Sequence, residues 1–123
     1  MNYLIVFIGG GVGAALRHGV NVACGRLLAN FPLGTLTVNV TGSIIMGVLA
    51  GYFAYKGDAA QAWRLFFTTG ILGGYTTFSS FSLDAALLWE RHEPWLAAGY
   101  VLASVMISLL GLFAGMYLVR QLT

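Results

Sequence analysis

From Gly73 to Ser82 the chain reads Gly-Gly-Tyr-Thr-Thr-Phe-Ser-Ser-Phe-Ser, a polar and helix-unfriendly run inside an otherwise oily segment. Paired glycines with Thr76, Thr77, Ser79, Ser80 and Ser82 make a poor lipid-facing helix. At membrane depth, irregular backbone is tolerated only where protein or a water-filled cavity supplies partners. Broken helices of this kind present carbonyls and helix ends to ions, so the run reads as an ion site. Phe78 and Phe81, three apart, share a helix face just after the break. Such a pair is usually core packing, but here hydroxyls flank it. The edge of a phenyl ring carries partial positive charge, and two rings turned edge-on can favour a small anion through weak C–H contacts.

Other polar residues lie in apolar surroundings. Asn39, in Gly34-Thr35-Leu36-Thr37-Val38-Asn39-Val40-Thr41-Gly42, is expensive in a span unless bonded. Its two N–H donors suit an anion, and an interhelical clamp suits it equally. Ser104 and Ser108 are four apart and share a helix face. They form either a polar track or two hydroxyls bonded back to the preceding turn. Arg17, beside His18 near the end of the first span, either draws anions into a vestibule by its field or snorkels to the headgroups. Gly9-Gly10-Gly11-Val12-Gly13-Ala14 contains the G-x-G-x-x-A of a dinucleotide fingerprint. The acid that ribose recognition requires is missing, since the first acidic residue is Asp58. The small residues are better read as helix packing, as are Gly47-x-x-x-Gly51, Gly70-x-x-x-Gly74 and Gly111-x-x-x-Gly115.

The elements that position these residues follow from composition. Of 123 residues, 59% are hydrophobic and 8% charged, against about 25% charged in a soluble domain. The chain is an integral membrane protein with room for four spans and little loop, since a span takes roughly 20 apolar residues. The spans are predicted over Tyr3 to Ala23, Leu33 to Tyr55, Ala62 to Trp89 with a break near Gly73 to Thr77, and Pro94 to Val119. The fold class is thus an all-α membrane protein, with residues 1–123 as a single four-helix transmembrane domain. Pro32 and Pro94 fall near helix starts, where a missing N–H costs little. Most tyrosines and tryptophans fall at span ends as an aromatic belt, but Tyr75 and Tyr100 do not.

Lys56, Arg64 and Arg120 would lie on one side of the membrane, and Arg17, Arg26 and Arg91 on the other. Lys and Arg asymmetry sets orientation, so this tie predicts insertion both ways and an antiparallel homodimer. Lys and Arg are too few for a nucleic-acid surface. Cys24 is alone, so neither an intrachain disulfide nor a multi-cysteine metal site forms. Met1-Asn2-Tyr3 lacks the positive start of a secretory signal, and the first helix reads as retained. No ATP site is visible, and nothing marks an enzyme.

On Gly9-Gly10 through Arg17, on Gly34-Thr35 through Asn39 and Gly42, and above all on Gly73 through Ser82, the chain resembles the CrcB/Fluc family of fluoride channels along essentially its whole length. The resemblance implies an antiparallel, dual-topology homodimer in a bacterial inner membrane, with lipid around it. It implies two fluoride pathways and one central structural sodium that is not transported. By that likeness Phe78 and Phe81 line the pathway with Asn39 above them, and Ser104 and Ser108 match the hydroxyl track. The backbone carbonyls of Gly73 and Thr76, two from each chain, would hold the sodium, and Arg17 would stand in the vestibule. Departures are Leu112 at the track's next step, Asp84 where Glu is frequent, and Ser80 where Thr is common. Hydrogen fluoride crosses membranes neutral and ionises inside, so a passive anion pore suffices for export. The membrane potential is worth ~2.3 kcal/mol per charge per 100 mV, roughly a 50-fold outward bias. The competing reading is a small dual-topology multidrug exporter. Such a carrier needs an acid within the membrane, and the first two spans have none.

Overall fold

The computed structural model describes residues 1–28, 30–54 and 61–122, all helical apart from short connections. Helix α1 is Asn2–Leu27 and α2 is Leu33–Phe53. The third rod, α3, runs through Gln61–Arg64, a wider π-helical stretch Leu65–Leu72, and Gly73–Tyr75. Two extended residues, Thr76 and Thr77, interrupt it before α4, Phe78–Glu90. Helix α5 is Pro94–Leu122. Helices α1, α2 and α5 are each long and apolar enough to cross a membrane. The chain is thus a multi-pass membrane protein.

Two glycine seams hold the helices together. Lipid tails are as apolar as leucine, so helix association in a bilayer depends on close packing and not on the hydrophobic effect. A Cβ on Gly9 would stand 2.8 Å from the Phe66 carbonyl and 2.9 Å from the Gly70 Cα, and one on Gly74 would strike the Gly10 carbonyl. These positions zip α1 against α3. In the second seam, Gly47 lies on the Leu112 backbone and Gly115 on the backbone of Ile44 and Val48, which joins α2 to α5. The four Gly-x-x-x-Gly pairs thus act in two sets. Gly9/Gly13 meets Gly70/Gly74, and Gly47/Gly51 meets the helix that carries Gly111/Gly115.

Three features differ from the sequence expectation. The break is confined to Thr76 and Thr77, because Gly73 and Gly74 keep helical geometry; they serve backbone packing or cap the π stretch. The first helix continues to Leu27, so Arg17 does not end it but sits half-buried ten residues inside. Nothing in the sequence announced the π stretch. Threonine hydroxyls serve carbonyls at both its margins, Thr68 Oγ1 donating to the Arg64 carbonyl at 2.6 Å and Thr76 Oγ1 to that of Leu72 at 2.9 Å. The C-terminal end of the second predicted span, Tyr55, and the charge at Lys56 lie outside the described residues.

The α4–α5 end is fixed by a tight reversal. His92 adopts a left-handed conformation (φ 60°), and the Glu93 N–H closes back on the Leu88 carbonyl at 3.1 Å. Arg91 donates to the Asn30 carbonyl at 2.8 Å and pairs with Glu93 at 3.2 Å. Behind this turn Phe81, Leu88, Ala97 and Tyr100 form the buried cluster, with Phe31 packed edge-on to Tyr100.

Candidate functional site

The site is built on the break, and α2 holds the break in place. Asn39 Nδ2 donates to the Thr77 carbonyl at 2.9 Å, and the Thr77 N–H donates to Asn39 Oδ1 at 2.8 Å. The side-chain amide thus accepts the Thr77 N–H in place of its helical partner and adds a donor to the Thr77 carbonyl, which as the N-cap residue also accepts the first bond of α4. Of the two readings open for Asn39, the interhelical clamp is present. The same residue also lines the cleft described below. Thr77 Oγ1 accepts from the Ser80 N–H at 3.1 Å and so caps α4.

These bonds have a consequence for the carbonyls. In a continuous helix the Thr77 N–H would close on the Gly73 carbonyl, and the Ser80 N–H on that of Thr76. The first is given to Asn39 and the second to the Thr77 hydroxyl. The carbonyls of Gly73 and Thr76 are thereby released from their helical donors. They are hard oxygen ligands of the kind that suits a small cation.

A cleft of about 400 Å³ opens beside the break. Asn39, Thr76, Thr77, Phe78, Phe81, Ser104 and Ser108 line it, with Gly42, Ser43, Met46, Val105, Leu109 and Leu112. Five of the residues singled out from sequence as a pathway therefore face one cavity. Their surroundings differ. Phe78 is 77% exposed, while Phe81 is only 9% exposed and packs on Tyr100 at a ring separation of 5.4 Å. The two phenyl rings lie 5.5 Å apart and tilted by 54°. Phe81 is thus a member of the buried cluster as well as a wall of the cleft, whereas Phe78 is not core.

The Oγ atoms of Ser104 and Ser108 are buried with no hydrogen-bond partner among the described residues. They do not bond back to the preceding turn, although Thr41, Thr68, Thr76 and Ser82 all do so. An unsatisfied buried hydroxyl costs about 1–3 kcal/mol, and both of these belong to residues that line the cleft. Leu112 carries the same face of α5 onward without a hydroxyl. Gly73 and Arg17 are not cleft residues. Gly73 is exposed on α3, with 3.8 Å to the nearest neighbour of an added Cβ.

Some relevant residues were not anticipated. Tyr75 O–H meets Thr41 Oγ1 at 2.9 Å, directly before the break. Tyr100 donates to Asp84 Oδ2 at 3.2 Å. A second cleft, about 330 Å³, is bounded by Asn21, Thr35, Ser80 and Asp84 among others. The one available signal was that these two tyrosines fall outside the aromatic belt.

Comparison with known proteins adds a family. A family model described as CrcB-like protein, Camphor Resistance (CrcB), matches residues 4–116. The chain is 60% identical over 124 residues to the fluoride-specific ion channel FluC 2 of Nitrobacter hamburgensis, covering all of both chains. It is 59% identical over 124 residues to the fluoride-specific ion channel FluC of Rhodopseudomonas palustris, again covering both completely. To the FluC of Methylobacterium nodulans it is 55% identical over 121 residues, 98% of each chain.

Proposed function

The chain belongs to the CrcB-like family, and from that premise we propose that it is a passive, fluoride-selective channel that lets cytoplasmic fluoride leave a bacterial cell across its inner membrane. The relatives are ion channels by name, not enzymes, and their similarity extends over the full chain. The observation that carries the reading is the pair of buried, unpartnered hydroxyls, Ser104 and Ser108, in the cleft walled by Phe78 and Phe81. A desolvated anion accepts hydrogen bonds, and these two donors serve no acceptor among the described residues. The remaining amide proton of Asn39 can add a third. Small fluoride gains most from such close donors, while the apolar walls exclude the water that would compete.

The working unit in this reading is an antiparallel homodimer. Ser79, Ser82 and Phe78 are exposed along one side of α4, a polar face for a helix in lipid even though Ser79 meets Thr77 and Ser82 donates to the Phe78 carbonyl within the chain. A second copy covers it better than lipid does. With Arg17 inside α1, three Lys and Arg on one side face two on the other at the span ends, a near balance that supports insertion in both orientations. Two breaks would then meet near the dimer axis. The released carbonyls of Gly73 and Thr76 fit a structural sodium there, two from each chain. When bound, the ion would supply fixed positive charge and order to the break. Arg17, half-buried within α1, makes no recorded hydrogen bond or ion pair among the described residues and would add positive potential on the approach.

A multidrug exporter fits less well. Helices α1 and α2 carry no Asp or Glu, and Asp84 in α4 already accepts from Tyr100. The test is growth of cells that lack their own fluoride export. This chain should restore growth in fluoride and give no resistance to lipophilic cations. Two lysines added between residues 55 and 60 should abolish the rescue by fixing one orientation, and an oppositely biased variant should restore it on co-expression. Resistance to lipophilic cations without fluoride rescue would reverse the assignment, and full rescue by the fixed variant alone would exclude the antiparallel dimer.

A further inference from the structure

The break is gripped by α2 at three consecutive residues, and only part of that grip belongs to the ion pathway. Asn39 holds Thr77. Gly42 lies under Thr76 and Tyr75; a Cβ there would strike the Thr76 methyl and stand 3.3 Å from the Tyr75 ring. Thr41 holds Tyr75 at 2.9 Å. Tyr75 is the last helical residue of α3, one position before the break.

The protons in this strut can be assigned. Thr41 has one hydroxyl hydrogen, and Oγ1 lies 2.7 Å from the Thr37 carbonyl, which can only accept. With that hydrogen committed, Thr41 Oγ1 is the acceptor toward Tyr75, and the phenol donates. The chain Tyr75 O–H to Thr41 O–H to Thr37 C=O is therefore directional, and it ties the last turn of α3 to the backbone of α2. Along that turn lies Gly73, whose carbonyl the break releases. Its N–H is held by the Gly70 and Thr68 carbonyls of its own helix, but no atom of another helix lies within 4 Å of where its Cβ would stand.

We infer that Tyr75 and Thr41 form a positioning pair that sets the orientation of the 73–76 carbonyls and so tunes how tightly the break binds its cation, without touching fluoride. Neither residue lines the cleft that holds Ser104, Ser108 and Phe78. Tyr75 borders instead an apolar recess with Leu16, Ile45 and Phe67. This inference rests on the structural-sodium reading above.

The test is sodium binding to the full chain reconstituted in liposomes, measured by equilibrium dialysis against a large organic cation, with fluoride efflux followed over the same titration. Tyr75→Phe keeps the ring over Gly42 and removes only the donor. The half-saturating sodium concentration should rise about fivefold, the effect of losing one neutral hydrogen bond. Efflux at saturating sodium and the preference for fluoride over chloride should stay unchanged. Thr41→Val should give the same shift, the double variant no more than either alone, and Thr41→Ser the parental value. If Tyr75→Phe and Thr41→Val both keep the parental sodium dependence, or if they lower fluoride preference instead, the positioning role is wrong. A parent whose efflux ignores sodium overturns the cation reading and this inference with it. Loss of folding is read separately from dimer retention in detergent; if Thr41→Val fails to fold, Tyr75→Phe decides alone.

Discussion

Replacing Asn39 with Leu should abolish fluoride efflux and weaken the fold. Leu matches the amide in bulk but offers neither donor nor acceptor. The Thr77 N–H, held at 2.8 Å, loses its partner, and the Thr77 carbonyl loses its 2.9 Å amide donor and keeps only the first bond of α4. Unmade bonds of this kind cost about 1–3 kcal/mol per buried group, though interhelical bonds in membranes average only about 0.6 kcal/mol. The expected loss is therefore about 2 kcal/mol, read as a lower midpoint of thermal unfolding in detergent. The effect on flux should be larger than that on stability. An unclamped Thr77 can return its N–H to the Gly73 carbonyl and straighten the helix, which removes the released carbonyls and moves Phe78 and Phe81 together. Efflux indistinguishable from protein-free liposomes is the expected reading. Asn39→Leu with parental flux would show that the clamp does not hold the pathway.

Phe78→Ile is the second large effect, and it separates conduction from stability more cleanly than any change at Phe81. Phe78 is 77% exposed and contributes little to the buried cluster of its own chain. Its replacement should move stability by no more than about 0.5 kcal/mol. Ile keeps apolar bulk but has no polarised ring edge. Fluoride efflux should fall at least about tenfold, ~1.4 kcal/mol of barrier, with the dimer intact. Phe81→Ile should lower flux too, but it also breaks ring contacts to Tyr100 and Phe78. It should therefore cost up to about 1.5 kcal/mol of stability. Normal conduction by Phe78→Ile would remove the aromatic edge from the mechanism.

Much of this architecture could be read from residue types. The three long membrane-crossing helices followed from apolar run lengths, and the helix starts at Leu33 and Pro94 followed from proline. The break was legible because glycines and hydroxyls are costly in lipid. Its exact extent was not, because glycine is ambiguous in a membrane: Gly74 is helical and serves close packing against Gly10. Only the partner helix distinguishes that role from unwinding. The π stretch was invisible for a related reason, since Leu65 to Leu72 is an ordinary apolar run whose winding depends on what it packs against. Ser104 and Ser108 illustrate the limit at the site. Spacing put both on one face, but only the absence of back-bonding, set by rotamer, separates a track from two self-satisfied hydroxyls. Tyr75 and Tyr100 were visible as exceptions to the aromatic belt, and their partners Thr41 and Asp84 were not, because those contacts join residues 34 and 16 positions apart.

The central claim is that this chain alone passes fluoride through the cleft at its broken helix. The most direct measurement is anion efflux from liposomes containing only this protein, in sodium buffer, started by adding a potassium ionophore down a potassium gradient and followed with a fluoride electrode. Rapid fluoride release, with chloride retained in a parallel preparation, is the expected result. Fluoride held as long as in protein-free liposomes, or chloride leaving as fast as fluoride, would contradict it.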